Sequence, residues 1–286
     1  AALQFAHTPA PWVRYRLGYG YAIHLGPVAN VAGEATLQGH GGRIGADFMV
    51  APRSTLSVDA SVIGYDEAPT FTGLRLGFIQ SFDLSTASPL TLGLYIDRKQ
   101  EDSTLEAMLQ ETVKYEFGLT LDAEPVSRFL LSASGSYGRL IHTDSVLGDR
   151  RRNNGAEWRL ATGARVVDEP VSLEIEVEYT GMWFEDTSEA ADSRIPYFAP
   201  SIYQTIGLPI TLGQEPHWRF DYELFVIPTW AIEDEALLLV YGARANIKLS
   251  PMHKLALAFS RTDTPVGEAS RVFQENLVTF SYTGAF

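Results

Sequence analysis

The 286-residue sequence predicts an all-β protein, a 16-stranded antiparallel transmembrane β-barrel that occupies residues 1–286. Apolar and polar residues alternate along many long segments, short turns alternate with longer polar loops, and charged residues fall in mid-strand on the polar faces. A soluble β-sandwich also produces alternation, but a dry core does not tolerate unpaired charges in mid-strand. The three features together therefore favour a barrel with a water-filled lumen.

The first long strand shows the alternation clearly. In VRYRLGYGYAIHL (13–25), Tyr15, Leu17 and Tyr19 share one face, whereas Arg14 and Arg16 share the other. A period of two over this length predicts a strand with one apolar and one polar face. Comparable segments predict strands at 31–40, 42–50, 55–64, 72–82, 89–97, 109–121, 128–141, 157–167, 171–180, 200–212, 217–226, 236–249, 254–261 and 273–286. The best candidate for a helix, STLEAMLQET (103–112), is predicted as a single turn.

The connections between the strands predict how the chain crosses the membrane. Short turns follow one set of strands and longer loops mostly follow the other, with a tight turn at Gly41 as an exception. Outer-membrane barrels have short periplasmic turns, longer extracellular loops and an even number of strands. The 15 long strands therefore require one more, for which the candidate is an outward-running ALQFAHT (2–8). This arrangement predicts a bacterial outer-membrane protein with both termini in the periplasm.

The carboxyl-terminal segment ENLVTFSYTGAF carries aromatic or apolar residues at alternate positions. It resembles the carboxyl-terminal signal by which the barrel-assembly machinery recognises its substrates, which implies that machinery as a partner. The residues of this signal are Val278, Phe280, Tyr282 and Phe286. Their alternation predicts that they lie on the lipid side of the closing strand, where they also contact the lipid of the outer membrane.

Composition excludes several classes of function. The net charge of −13 and the pI near 4.9 argue against a nucleic-acid partner, because phosphate binding requires a concentrated positive surface. The absence of cysteine excludes disulfides and thiolate chemistry. The amino-terminal stretch AALQFAHTPAPW has neither the basic start nor the apolar core of a signal peptide. We therefore expect a mature chain or a piece of a longer one.

The polar faces of the strands predict the path of a solute, because 16 strands leave an aqueous channel. Glu174, Glu176 and Glu178 form an acidic stripe on one strand, which favours a cationic or weakly basic solute. Alternatively, Arg159 and Arg165 on the preceding strand pair with these acids. The remaining predicted pore-lining residues are Asp97, Glu116, Asp221 and Glu223, together with Tyr95 and Tyr203 as surfaces on which sugar rings could stack.

Signals for catalysis are poor. The six histidines are scattered, and the sequence has no HExxH, GxSxG or P-loop motif. A lipid hydrolase would need a Ser–His arrangement, for which His40 with Ser57 or Ser61 is the one conceivable pair. The acidic loops at 185–192 and 232–235 could hold Ca²⁺ or the cations that cross-link lipopolysaccharide, although solvated loop acids are commoner. We therefore predict no enzyme activity, no cofactor and no resident metal.

One segment resembles a known family. RIPYFAPSIYQTIGLPI (194–210) is similar to the YFSPxxY segment of exopolysaccharide export porins from the cellulose, poly-N-acetylglucosamine and Pel secretion systems. Tyr197, Phe198, Pro200 and Tyr203 match the motif, whereas Ala199 replaces the usual serine.

The resemblance implies a 16-stranded barrel at the end of a longer chain whose periplasmic part consists of tetratricopeptide repeats. It implies polysaccharide export, together with further secretion components such as a periplasmic lipoprotein. The acidic balance suits a cationic, partly deacetylated polymer, and we favour a Pel-type system because the match to the motif is imperfect. A passive diffusion porin and an outer-membrane lipid hydrolase are the alternatives.

Overall fold

The computed structural model describes residues 2–27, 34–85, 88–101, 105–143, 148–167, 170–187, 195, 199–217, 219–250, 253–265 and 272–285. The elements are β1 (Ala2–Ala10), β2 (Val13–Pro27), β3 (Glu34–Ala51), β4 (Ser54–Tyr65), β5 (Phe71–Ser85), β6 (Ser88–Gln100), α1 (Leu105–Leu109), β7 (Val113–Val126), β8 (Phe129–Thr143), β9 (Arg150–Val167), β10 (Val171–Phe184), β11 (Tyr203–Gly207), β12 (Ile210–His217), β13 (Phe220–Ala231), β14 (Ala236–Ser250), β15 (His253–Pro265) and β16 (Val272–Ala285). The segment predicted as a single helical turn contains α1.

The strands form one closed sheet. Strands that follow one another along the chain pair in antiparallel fashion, except that β11 and β12 each pair with β10 and β13, and β16 pairs with β1. Closure leaves no sheet edge with unpaired backbone groups, as a membrane-spanning sheet requires. The prediction of an all-β transmembrane barrel is confirmed.

The predicted number of 16 wall strands is not confirmed. Segments β11 and β12 both lie between β10 and β13, so sixteen segments fill fifteen positions in the wall. They are separated by Leu208 and Pro209, and proline cannot donate a backbone hydrogen bond to the ladder. The predicted tight turn at Gly41 is wrong, because β3 continues through it. A Cβ at Gly41 would lie 2.3 Å from the Val62 carbonyl oxygen, so this glycine permits close approach of two strands.

The predicted orientation of the first strands also differs. The turns at 11–12, 52–53 and 127–128 define the short-turn end of the barrel, and the connections at 66–70 and 185–202 define the long-loop end. Because β3 is one strand, β2 runs towards the long-loop end. Strand β1 runs towards the short-turn end in parallel with β16, pairing Gln4 with Thr283 and Ala6 with Ala285. The prediction of an antiparallel barrel whose first strand runs outward placed both termini at the same end. For this pair of strands it is therefore wrong.

The outer face of the barrel is apolar. Large side chains at alternate positions are strongly exposed, for example Leu17 at 56%, Ile44 at 62% and Phe117 at 51% of their full surface. An apolar surface of this extent is typical of a wall that faces lipid. No helix among the described residues is long and apolar enough to cross a membrane.

Candidate functional site: the lumen face and its lid

The connection between β6 and β7 folds into the long-loop end of the barrel. Its helix α1 buries Ala107 completely in an apolar cluster with Leu140 of β8, Phe184 of β10 and Ala199. We call residues 105–112 the lid. One side of the lid is thus held against the part of the wall that β8 and β10 form.

The opposite side of the lid contacts another part of the wall. Met108 is buried together with Leu37 of β3, and Tyr65 of β4 packs against this pair. The amide of Thr112 donates to the carbonyl of Ala107 at 2.9 Å, which closes the turn that follows α1. Since β3 and β8 are separated by four strands in the sheet order, the lid bridges the mouth of the lumen.

The described part of the family-like segment lies beside the lid. Pro200 is fully buried, and its carbonyl accepts a hydrogen bond from the Phe184 amide at 3.2 Å. Tyr203 is only 5% exposed and packs with Leu238 and Met182. The prediction that Tyr203 offers a stacking surface to a passing sugar is therefore wrong, because its ring is covered by neighbouring side chains.

Some predicted residues lie outside the described part of the chain. These are Tyr197 and Phe198 of the family-like segment and Phe286 of the assembly signal. The backbone of the other signal residues is described: Val278, Phe280 and Tyr282 pair with Phe259, Leu257 and Leu255 of β15. That the side chains of these three residues face the lipid remains a prediction.

The acidic stripe is matched by the two arginines of the preceding strand. Arg165 Nε donates to Glu174 Oε1 at 2.8 Å. Arg159 donates to Glu178, and its Nη2 lies 3.9 Å from Glu176 Oε2. The alternative interpretation of these acids, cross-strand pairing, is thus confirmed. Three carboxylates face two guanidinium groups, which leaves one negative charge in excess.

A second ion-pair network surrounds Glu116. Its carboxylate lies 3.0 Å from Lys99 Nζ of β6 and 3.0 Å from Lys114 Nζ of its own strand. Lys114 is only 4% exposed and also donates to Glu157 of β9. The prediction that Glu116 lies on the inner face is consistent with these contacts. Sequence reasoning missed Lys99, although it follows Tyr95 and Asp97 at the same spacing of two.

Asp97 and Tyr95 share a single cation. The guanidinium of Arg75 lies 3.8 Å from the Asp97 carboxylate and 4.6 Å above the centre of the Tyr95 ring. One face of that ring is therefore occupied by Arg75 through a cation–π contact. Tyr95 can present its edge and hydroxyl group to the lumen, which differs from the stacking role predicted for it.

The network extends to the first strands of the barrel. Arg16 Nη2 of β2 lies 2.8 Å from Asp47 Oδ1 of β3 and 3.1 Å from Asp59 Oδ2 of β4. Arg43 Nε also lies 3.1 Å from Asp59 Oδ1. Side chains on three successive strands are thus connected by ion pairs.

The two remaining predicted acids lie on β13. Asp221 accepts a hydrogen bond from the amide of Asn246 on β14. Glu223 is directly opposite Arg244 in the register of the same two strands. Both acids therefore have polar or basic neighbours across the strand pair.

Acids and bases are nearly equal in number among the described side chains of the lumen face, the face that carries the charges in mid-strand. The acids that the register assigns to it are Asp47, Asp59, Asp83, Asp97, Glu116, Asp122, Glu157, Glu174, Glu176, Glu178, Asp221 and Glu223, and the bases are Arg14, Arg16, Arg43, Arg75, Lys99, Lys114, Arg151, Arg159, Arg165, Arg244 and Lys248. Most of the chain's net charge of −13 therefore lies outside these positions. The described lumen face is polar and close to electrically balanced.

The register separates the residues that were considered for lipid hydrolysis. His40 pairs with Gly64, whereas Ser57 and Ser61 pair with Asp47 and Arg43. Neighbouring residues of a strand point to opposite faces, so His40 lies on the other face from both serines. That Ser–His pair does not exist. Among the residues that the structure describes, no group of three or more His, Asp or Glu side chains could hold a metal ion.

A closed sheet with an apolar outside and a polar, ion-paired inside defines the class of this protein, a transmembrane β-barrel. No protein-family model and no curated protein matches the sequence. The chain is similar to a solved structure described as a bacterial polysaccharide outer membrane secretin, with a TM-score of 0.64 and 13% identity over 96% of this chain and 83% of the other. A NanC porin aligns with a TM-score of 0.38 and 8% identity over 86% of this chain and 93% of the porin. The secretin shares the fold of this chain.

Proposed function

We propose that this barrel is an outer-membrane channel that exports an exopolysaccharide from the periplasm to the cell surface. The observation that carries the proposal is a lumen of paired charges and hydroxyl groups whose mouth is bridged by the lid. Such a lumen offers many weak polar contacts, which conduction requires, because a single strong site would retain the polymer. The shared fold with a polysaccharide secretin supports this choice.

The charge of the polymer follows from the balance of the lumen face. Because acids and bases are nearly equal in number among the described side chains there, the wall attracts neither a polyanion nor a polycation strongly. We therefore favour a polymer with little net charge. A cationic, partly deacetylated polymer, as in a Pel-type system, is the second candidate. It is favoured by the one excess carboxylate among Glu174, Glu176 and Glu178.

A passive diffusion porin is the alternative within the same architecture. A porin needs a continuously open lumen, whereas the lid joins two parts of the wall through Ala107 and Met108. This bridge favours a gated channel. In our proposal the barrel binds and guides its substrate and performs no chemistry on it.

The proposed partners follow from the location and from the family resemblance. The apolar outer face would contact outer-membrane lipid and lipopolysaccharide, and the barrel-assembly machinery would insert the protein. We also propose tetratricopeptide repeats on the same chain and a periplasmic lipoprotein among the secretion components.

A reversible lock on the lid tests the export function. The chain contains no cysteine, so the pair Ala107→Cys and Leu140→Cys can be cross-linked selectively with a short bis-methanethiosulfonate, which forms one reducible disulfide with each cysteine and releases sulfinate. We expect cross-linked cells to retain the polysaccharide in the periplasm and reduced cells to release it to the surface. The measurement is immunoblotting of surface and periplasmic polymer before and after reduction.

The single variants Ala107→Cys and Leu140→Cys serve as controls, because each reacts with the reagent without joining lid and wall. Polymer secretion that continues after complete cross-linking would contradict export through this lumen. Uptake of a small sugar, measured in the same cells, tests the porin alternative. A porin would show free uptake before any treatment.

A further inference from the structure

A recess lies in the lumen wall between β6 and β11, with a volume of about 250 Å³. The space is thus large enough for one sugar ring. Its lining contains side chains from five strands, so it is formed by the folded wall and by no single loop.

Hydroxyl groups dominate the polar lining of the recess. They belong to Tyr95, Ser134, Ser136, Thr180, Tyr203 and Thr205. Thr180 and Thr205 are hydrogen-bonded to each other at 2.6 Å. Each hydroxyl can donate and accept, so the group matches the mixed donors and acceptors of a sugar.

The charged groups in the recess are already paired. Glu157 accepts from Lys114, and Arg159 donates to Glu178 and to the Ser132 hydroxyl. A charged ligand would have to break one of these pairs to gain an ion pair of its own. The recess therefore suits a neutral ligand better than an ion.

The recess lies directly beside the lid. Met182 lines the recess and also packs against the cluster that buries Ala107. A ligand in the recess would consequently sit at the inner side of the closed mouth. This is the position that the leading unit of an outgoing polymer reaches before the lid opens.

We propose that this recess is a subsite for one neutral pyranose unit that presents hydroxyl or acetamido groups. The proposal rests on the export function proposed above and adds the place and the chemistry at which the polymer is first held. Binding is mainly through hydroxyl groups, because Arg75 occupies one face of the Tyr95 ring and Tyr203, although it lines the recess, is only 5% exposed.

Titration calorimetry of the full chain in detergent micelles tests the subsite with three probes: cellotriose, tri-N-acetylchitotriose and the deacetylated chitotriose. We expect at least one of the two neutral trimers to bind weakly, with an affinity that does not depend on the salt concentration. We expect Ser134→Phe, which fills the recess, to abolish that binding. The polar deletion Thr180→Val should weaken it about two- to tenfold, the range that one hydrogen bond gives.

Ser57→Ala is the matched control, since Ser57 lies on the lumen face of β4, outside the recess. It should leave binding unchanged. Gel migration with and without heating verifies that each variant forms a folded barrel. Neutral-trimer binding that survives Ser134→Phe would overturn the subsite, as would tighter, salt-sensitive binding of the deacetylated trimer, or no binding of any trimer.

These outcomes are distinct from a failure of the export function. If the calorimetry contradicts the subsite but secretion still depends on the lid lock, the export function stands. The polymer would then contact the wall at a different site. Secretion that is indifferent to the lid lock would remove export itself, whatever the calorimetry gives.

Discussion

Ala107 of α1 and Leu140 of β8 are both completely buried in one apolar cluster, although one belongs to a loop and the other to the barrel wall. The cluster excludes water on both sides of the contact, so the loop cannot leave the wall without exposing apolar surface. The transfer cost is about 25 cal/mol for each Å² exposed. The lid is thus held against the wall by a free energy of apolar burial that a single substitution in the cluster can cancel.

We predict that Ala107→Glu opens the lid. A carboxylate at this position would be buried against Leu140 and Phe184 without a partner, which is unfavourable enough to expel the segment from the mouth. The expected result is a several-fold higher single-channel conductance in planar bilayers, with an unchanged barrel.

Glu111→Gln is the matched control for charge, because Glu111 lies in the same segment and is exposed. It should conduct like the unmodified protein. Equal conductance of Ala107→Glu and the unmodified protein would mean that the lid does not limit the current.

Removal of Lys114 should destabilise the barrel by about 3 kcal/mol. Its ammonium group is nearly inaccessible and lies between Glu116 and Glu157, so Lys114→Met leaves Glu157 without its cation and the buried Glu116 with Lys99 alone. The measurement is the free energy of unfolding in urea, followed by the heat-dependent shift of the barrel on gels.

Two further variants distinguish the effect of burying these charges on stability from the effect of pairing them. Asp83→Asn breaks a pair whose two side chains are 55% and 54% exposed, so it should cost at most about 1 kcal/mol. Combining Lys114→Met with Glu157→Gln removes one of the stranded charges and should recover part of the loss. A cost for Lys114→Met no larger than that for Asp83→Asn would show that this network is not effectively buried.

Ion selectivity should follow the pairing of the acidic stripe. Replacing Glu174, Glu176 and Glu178 with Gln leaves Arg159 and Arg165 without their partners, so the lumen should favour anions. The reversal potential under a KCl gradient, measured in the open Ala107→Glu background, reports this change.

The opposite pair of substitutions, Arg159→Gln with Arg165→Gln, should shift the reversal potential the other way. If neither set of variants changes selectivity, the ions take a path remote from β9 and β10. If Arg159→Gln alone has the full effect, the stripe acts through that one guanidinium group.

Gly118→Ala should cost about 1–3 kcal/mol of stability, because the added Cβ would lie 2.3 Å from the Tyr95 ring. Gly135→Ala on the adjacent strand is the matched control. There the nearest atom is the Glu157 carbonyl oxygen at 3.8 Å, so the change should be neutral or slightly stabilising. Urea unfolding of both variants tests this, and similar losses at the two sites would mean that Tyr95 moves aside freely.

The alternation of residues predicted the barrel and the faces of its strands because it is a local property of the chain. Arg165 and Glu174 could be placed on adjacent strands and on one face from the sequence alone. Ion pairs between strands that are not adjacent could not be predicted in this way. Lys114 contacts Glu157 across β8, whose lumen face carries small serine side chains.

The predicted number of strands was not confirmed, because a glycine can indicate either a turn or a close approach of two strands. The sequence GHGGR around Gly41 has the composition of a turn, yet its glycines make room for neighbouring strands within β3. Conversely, Leu208 and Pro209 separate β11 from β12, but the chain continues in the same direction between β10 and β13. The lid was equally hidden, because α1 is too short to show a helical period and its burial depends on distant residues.

The ion pairs of the lumen face described above all join strands β2 to β10, whereas β14 and β15 place Gly242, Ala256, Ala258 and Ser260 on that face. The two parts of the wall consequently differ in how far their side chains extend into the lumen. We expect a branch or a bulky substituent on the passing chain to find more room beside these small side chains than beside the ion-paired strands.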